Sequence, residues 1–531
     1  MASKITGFVL TKGTTDYLPD VNKNLNVKVI RGEWGNLYLY SADADMIPVR
    51  EGVWSLGFPA HQNLLHHNLL LTIEKDGVVV ENDWIGGIPV YFNQKHKIVS
   101  TFPEVCLGKN PLFDDEGMYL FMKYGFSAFG TTPFRDVSTL RYYSALRFKA
   151  DKLVVTEKED PALSVDLSRP AGEEEIWSLI REDISQVINE TSGIVVSPLS
   201  GGLDSRIINS LIPEEHKSRV HTFSYGISPD QGKSFESRIA QEIAKKLGLK
   251  WEQIYLKDAF RYMDQWHDLF GFGMHLHGMM HIEFYKKILS KFDPKESLLM
   301  FSGISGSAFQ GGHPPNGYVT KPSDLYGLAL THGLNSNSWL PYRETEAETR
   351  FFKQNKDLLS DLKWYPVLTM RIKMNLLHYL YKLPDNMGIS STSPYHNFEI
   401  ACKMLSLPEY RRHNRQWVND FFKKENLYIG NRSFYGDTRN TINRQLFLNH
   451  QFNPIDETLL SDSPVPNQII RRVNGKLKNI GTFRERLNAF FTTQRVIKEI
   501  LKVAGVKNIL NNNLSAYLLI KAVEKSVRKH L

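Results

Sequence analysis

The chain has 531 residues, 42% of them hydrophobic and 23% charged, and carries a net charge of +8. At about 100–200 residues per domain that length predicts two to four domains, and no run approaches the roughly 18 uninterrupted apolar residues of a membrane helix. The balance excludes a disordered or membrane-spanning chain, and Cys106 and Cys402 are too few for a disulfide framework or a zinc cluster.

The opening residues, Met1 to Leu10, lack the apolar core and cleavage site of a secretory signal, which makes the cytoplasm the expected compartment. Short β-branched and aromatic runs such as Val27–Ile30, Leu69–Ile73 and Gly77–Val80 then predict a sheet-dominated domain over residues 1–165. An acidic, proline-containing linker over Glu157–Glu175 leads into alternating strand and helix patterns, an α/β domain over residues 170–450. Its first unit is an apolar strand at Ile194–Leu199, a Ser-Gly-Gly turn, and a helix over Leu203–Leu211. A second strand at Val220–Tyr225 precedes a helix in which Phe235, Ile239, Ile243 and Leu247 recur on one face. A third strand at Trp251–Leu256 and a fourth at Leu298–Phe301 come next, the latter running into a second glycine loop, Ser302–Ser307. Such alternation predicts a doubly wound parallel sheet with its ligand beyond the carboxyl ends of the strands. Residues 451–531 read as a basic, mainly helical extension. From Arg471 onward 14 lysines and arginines face only Glu485, Glu499 and Glu524. Either an acidic partner binds this tail or it is a solvated helical face; the lack of interleaved aromatic stacking positions favours the second.

Chemistry concentrates in Ser200-Gly201-Gly202-Leu203-Asp204-Ser205. Two glycines before a helix N-terminus bring backbone N–H groups close to a phosphate chain, and Ser200 and Ser205 add hydroxyl donors. Asp204 suits a Mg²⁺ accompanying ATP rather than the phosphates themselves. No Gly-x-x-x-x-Gly-Lys-Ser/Thr occurs, so cleavage between the α and β phosphates is expected rather than γ-phosphate transfer.

In these segments the chain resembles the asparagine synthetase family, whose synthetase domain carries the same strand followed by Ser-Gly-Gly-Leu-Asp-Ser. The resemblance extends to Thr222–Gly226 on the adenine side, to Glu236–Gly248, to the loop Ser302-Gly303 through Gly311-Gly312, and to Gly388–Asn397 as an acceptor-side helix with its sequel Leu405–Pro408. It implies an adenine nucleotide α-hydrolase-like ATP-pyrophosphatase domain, with pyrophosphate on Ser200–Ser205 and adenosine bordered by Leu199, Tyr225, Gly226, Ser302 and Gly303. The first domain resembles the family's Ntn-hydrolase-like glutaminase through Ile5–Phe8 and through Asp83–Tyr91, its central hairpin. The N-terminal cysteine nucleophile is replaced by Ser3 behind Met1-Ala2, so a degenerate domain without glutamine hydrolysis is implied.

Other positions depart from the family. The loop glutamate is Ile304, the second Mg²⁺ carboxylate is Ser307, and the acceptor-side glutamate, arginine and aspartate are Ser390, Thr392 and Asn397. Asparagine is therefore not the expected product. Arg432 lies where the family places an assisting lysine, and His281, with His275 and His277, falls on the substrate side, where it can act on the acceptor amine or line a pocket; His313 has the same two readings. The expected activity is an ATP-dependent, AMP-forming ligase that adenylates a carboxylate and forms an amide with ammonia or an amine on a glycan, peptide or specialised metabolite. An inactive scaffold or partner subunit is the alternative. A third and weaker idea brings a nucleic acid to the loop by way of the basic tail.

Overall fold

The computed structural model describes residues 4–17, 25–58, 63–312, 317–329, 333, 334, 340, 341, 343–430, 435–440, 442, 446, 450–477 and 509–531. Period-two patterning in the first part produces two antiparallel sheets. β1 (Gly7–Thr11), β2 (Asn26–Gly32) and β3 (Gly35–Ser41) begin one; β4 (Val53–Ser55), β5 (Leu69–Glu74) and β6 (Gly77–Asn82) begin the other. The chain returns to the first sheet with β7 (Tyr91–Asn93), β8 (Ile98–Ser100) and β9 (Val137–Thr139), and to the second with β10 (Ser144–Lys149) and β11 (Leu153–Glu157). The orders are β2-β3-β1-β8-β7-β9 and β11-β10-β6-β5-β4. Phe8, Leu10, Leu37, Leu39 and Val99 from one sheet meet Leu69, Leu71, Val78, Val80, Leu146 and Phe148 from the other, each spaced two apart along its strand.

Asp83–Tyr91, which the resemblance implied to be a hairpin, is instead the loop that crosses from β6 to the first residue of β7 and so from one sheet to the other. The buried Asp83 carboxylate organises it by accepting from the backbone N–H groups of Asn68, Ile85 and Gly87 at 3.0, 3.0 and 2.8 Å. The resemblance implied a hairpin; the carboxylate holds a crossing loop in its place.

The second part builds a five-stranded parallel sheet from β12 (Ile194–Pro198), β13 (Val220–Ser224), β14 (Lys250–Gln253), β15 (Leu298–Phe301) and β16 (Ile389–Thr392). Its order is β14-β13-β12-β15-β16, so the winding reverses between β12 and β15. β14 stops at Gln253, and the segment expected as an acceptor-side helix contains the edge strand β16, paired in parallel to β15 from Leu298↔Ile389 to Phe301↔Thr392. The helices that frame the site are α1 (Glu173–Asn189), α2 (Asp204–Leu211), α3 (Phe235–Leu247), α4 (Tyr365–Leu377), α5 (Phe398–Ser406) and α6 (Gln416–Lys424). α3 keeps its predicted bounds because Phe235, Ile239 and Ile243 are buried on one stripe and Gly248 ends it at φ +69°.

α7 (Asn467–Leu477) and α8 (Ile509–His530) lie in the basic extension. α8 is not the solvated face expected of it: Leu514, Ala516–Ile520, Ala522, Val523 and Val527 are all buried. Its cations are satisfied within the chain, Lys529 by Asp268 at 2.9 Å, Arg528 by Glu524 at 2.9 Å and Asp456 at 3.1 Å, and Lys525 by Asp264. Charge counted along the sequence therefore overstates what this helix offers an acidic partner.

Candidate functional site

The apolar strand β12 delivers the Ser-Gly-Gly turn to the reversal point, and the turn is held by its own hydroxyls. The Ser200 N–H donates to Ser205 Oγ at 3.1 Å, and the Gly202 N–H donates to Ser200 Oγ at 3.1 Å. Gly201 has a steric reason, since a Cβ there would sit 3.2 Å from the Glu236 Cα of α3. From beneath, buried Arg206 donates to the carbonyls of Gly201 at 3.2 Å and Leu427 at 3.1 Å. Ser200 is exposed while Gly202, Leu203, Asp204 and Ser205 are half-buried, so the mouth of the loop faces solvent at the N-terminus of α2.

The second loop leaves β15 tied to the end of β16 by Ser302 N–H donating to Thr392 O at 2.8 Å. It comes so near the first loop that a Cβ on Gly303 would lie 3.2 Å from both Asp204 Cβ and the Ser205 nitrogen. Ser305 takes a left-handed backbone conformation, φ 69°, a region that favours glycine, and its hydroxyl lies 2.6 Å from His396 Nε2. His396 Nδ1 in turn lies 3.1 Å from the Tyr381 hydroxyl, and complete burial lowers this imidazole to about 3, keeping it neutral. Ile304, at the family's glutamate position, is buried among core side chains.

Asp204 sits where the loops meet. Its Oδ1 accepts from Arg415 Nη1 at 3.1 Å, and its backbone carbonyl accepts from the Tyr395 hydroxyl at 3.2 Å. Burial pushes its carboxyl up to about 6, against the opposing pull of the Arg415 charge and the Ser307 N–H. Arg415 precedes α6 and follows Asn414, both left-handed, at φ 54°, ψ 44° and φ 50°, ψ 26°. Two successive left-handed residues cost about 1–2 kcal/mol each, and neither is glycine. Trp417 Nε1, donating to Gln310 O at 3.1 Å, ties α6 to the end of the second loop. Nothing in the sequence marked Arg415, 211 positions from Asp204, and Tyr395 was included only as part of the Gly388–Asn397 acceptor-side segment, with no role of its own.

The expected adenosine side is only partly gathered here. Leu199 is buried, its N–H donating to Phe223 O at 2.9 Å, so that backbone rather than side chain borders the crevice. Tyr225 and Gly226 follow β13, and the Tyr225 hydroxyl makes a long 3.5 Å contact with His281 Nε2. Because His281 Nδ1 lies 2.9 Å from the Gly278 carbonyl, which only accepts, Nδ1 carries the proton and Nε2 is the acceptor; burial lowers the basicity of the ring. His275 is buried, its Nδ1 accepting from the His277 N–H at 3.0 Å. Asn397 caps α5 by accepting from the Glu399 and Ile400 N–H groups at 3.0 and 3.4 Å, a structural assignment for that side chain. Ser3, His313 and Arg432 lie outside the described residues.

The loops suit a nucleotide through their N–H and hydroxyl donors. The donor set suits Mg²⁺ poorly: the ion takes several hard oxygen ligands, often one or two carboxylates, yet Asp204 is engaged by Arg415 and its expected companion is Ser307. Among the described residues no group of three His, Cys, Asp or Glu side chains is placed to hold a metal.

Residues 190–273 match the asparagine synthase family model, a segment running from the approach to β12 through the first loop, β13, α3 and β14. This part of the chain is asparagine-synthetase-like. No curated protein matches the chain. Among solved structures, an NH3-dependent NAD synthetase from Campylobacter jejuni is similar at 14% identity and a TM-score of 0.22, covering 39% of this chain and 96% of that one; a likeness of that size carries no functional argument.

Proposed function

We propose that this asparagine-synthetase-like chain is an ATP-dependent, AMP-forming ligase that adenylates a carboxylate and forms an amide with ammonia or an amine, without glutaminase activity of its own. The observation carrying this reading is the convergence of two glycine loops, Ser200–Ser205 and Ser302–Gly303, at the reversal point of a parallel sheet. The asparagine synthase match over residues 190–273 supports it. In this reading the N–H groups of Gly201 and Leu203, that of Gly202 once it turns from Ser200 Oγ, and the hydroxyls of Ser200 and Ser205 hold the pyrophosphate, while Leu199, Tyr225, Gly226, Ser302 and Gly303 border adenosine. A substrate carboxylate oxygen attacks the α-phosphorus as the bond to pyrophosphate breaks; the amine then attacks the acyl carbon and AMP leaves. The loops act chiefly by stabilising the departing anion. His281 Nε2 accepts a proton in the second step, and Arg432 is carried as a further cationic candidate.

The antiparallel sandwich serves here as a degenerate glutaminase-like scaffold. The carboxylate substrate is a small molecule, glycan or peptide, the acceptor is ammonia or an amine, and the compartment is the cytoplasm; no helix among the described residues is long and apolar enough to cross a membrane. The second reading, an inactive scaffold or partner subunit, is favoured by the burial of Ile304 and the ion pair that engages Asp204. ATP–pyrophosphate exchange with a panel of carboxylates separates the two. Exchange that is lost in Asp204→Ala supports the ligase; no exchange together with no ATP-dependent thermal shift leaves the scaffold.

A further inference from the structure

Charge counting at the two loops points to the group that faces the phosphates. The family resemblance supplies two carboxylates around one divalent cation, a neutral set. This chain has Asp204 and Ser307 at those positions, one negative charge fewer, and brings one arginine, one positive charge fewer than the metal. The sum is again zero. Arg415 also stands where such a group belongs: a Cβ on Gly312 would lie 2.8 Å from its Nε and 2.6 Å from Ser307 Oγ, so the guanidinium, Ser307 and the end of the second loop form one compact set with Asp204. Among the described residues the guanidinium's hydrogen bond is the one to Asp204, and its side chain is 19% exposed, leaving further N–H donors on the open side. A guanidinium offers planar, paired donors that match phosphate oxygens and remains charged throughout the working range.

We propose that Arg415 takes the place of the divalent cation in this site, its guanidinium neutralising the nucleotide's phosphates and the departing pyrophosphate, with Asp204 as its orienting partner and not a metal ligand. The proposal rests on the nucleotide-binding reading above. The left-handed turn at Asn414-Arg415 is the device that aims the side chain, and α6 and the Trp417 hydrogen bond hold its base.

The test is ATP binding to the full chain by titration calorimetry, in excess EDTA and in millimolar Mg²⁺. Wild type is expected to bind ATP with affinities within about threefold in the two buffers, Arg415→Ala to lose tenfold or more in EDTA, and Arg415→Lys to fall between. The double variant Arg415→Ala/Ser307→Asp, which restores the second carboxylate, is expected to bind only when Mg²⁺ is present. Wild-type binding that requires Mg²⁺, or an Arg415→Ala variant binding ATP in EDTA as wild type does, overturns the proposal and leaves the nucleotide site standing. Absence of wild-type ATP binding in both buffers overturns the nucleotide reading and the proposal together. Should Arg415→Ala fail to fold, the wild-type comparison between the two buffers decides the matter alone.

Discussion

Asp160→Ala tests how the two halves of the chain are joined. Arg371 on α4 is completely buried and forms a two-pronged pair with Asp160, Nη1 to Oδ2 at 2.6 Å and Nη2 to Oδ1 at 2.7 Å. Its Nε donates to the Trp84 carbonyl at 3.1 Å, and its guanidinium stacks 3.9 Å from the Tyr142 ring centre. One side chain thus connects the linker, two loops of the sandwich region at Trp84 and Tyr142, and the helix that packs behind Gly306–Phe309 of the second loop. Removing the carboxylate strands a buried cation that keeps one of its three polar contacts, and also takes the acceptor of the Ala162 N–H at 3.0 Å. Breaking a buried pair in this way costs about 3–5 kcal/mol. Asp160→Asn, which loses the charge and keeps the Oδ1 acceptor but sets an NH2 donor against Arg371 Nη1, is expected to cost about 1.5–3 kcal/mol. Asp160→Leu/Arg371→Met, which removes both charges, should be clearly more stable than the sum of the single variants because no unpaired buried charge remains, leaving about 1–3 kcal/mol for the Ala162 N–H and Trp84 carbonyl that lose their partners. Urea unfolding followed by tryptophan fluorescence gives these differences, with limited proteolysis of the linker as a second readout. A cost under about 1 kcal/mol for Asp160→Ala, or a double variant as unstable as the sum of the singles, would refute the claim that this pair fastens the domains.

Further outcomes are expected from the same physics. Gly303→Ala places a methyl 3.2 Å from Asp204 and Ser205 and forces the loops apart by a few tenths of an ångström; an overpacking cost of about 1–3 kcal/mol translates to a roughly 5–150-fold loss of ATP affinity by calorimetry, and unchanged affinity would show that the loops do not close on one ligand. Lys382, buried with its ammonium donating to the carbonyls of Thr101 and Leu269, is lowered to about 7 by burial from 10.5. Between those values the unfolded chain holds the proton and the folded chain does not, so stability rises with pH across that window by up to about 1.4 kcal/mol per unit. Lys382→Met should flatten that rise in urea midpoints taken at about pH 7 and about pH 9, both inside the window; parallel slopes in variant and wild type would contradict it. Asn397→Ala, losing the cap of α5, should cost about 1 kcal/mol in thermal unfolding. Purified protein given glutamine should release no glutamate, and measurable release would restore a nucleophile to the first domain.

Legibility in the sequence depended on how local each cause is. The Ser200–Ser205 loop could be read because strand, turn and helix occupy one stretch and the residues that close the turn are the turn's own. α3 and β15 kept their predicted bounds, since an apolar stripe or run identifies a buried element wherever it packs. β16 escaped because Ile389-Ser390-Ser391-Thr392 has no strand pattern of its own; parallel pairing with β15 and the Ser391 carbonyl's bond to Lys4 at 2.7 Å make it one. α8 was misjudged because composition reports its lysines and not the carboxylates that meet them, Asp264, Asp268 and Asp456. The same holds for the site. The sequence by itself determined a phosphate-binding turn and the sheet that carries it, through short-range periodicity and glycine chemistry. Only the tertiary structure decided the partner of Asp204, because a guanidinium 211 residues away reaches it through a left-handed turn that Asn414 favours locally but Arg415 does not.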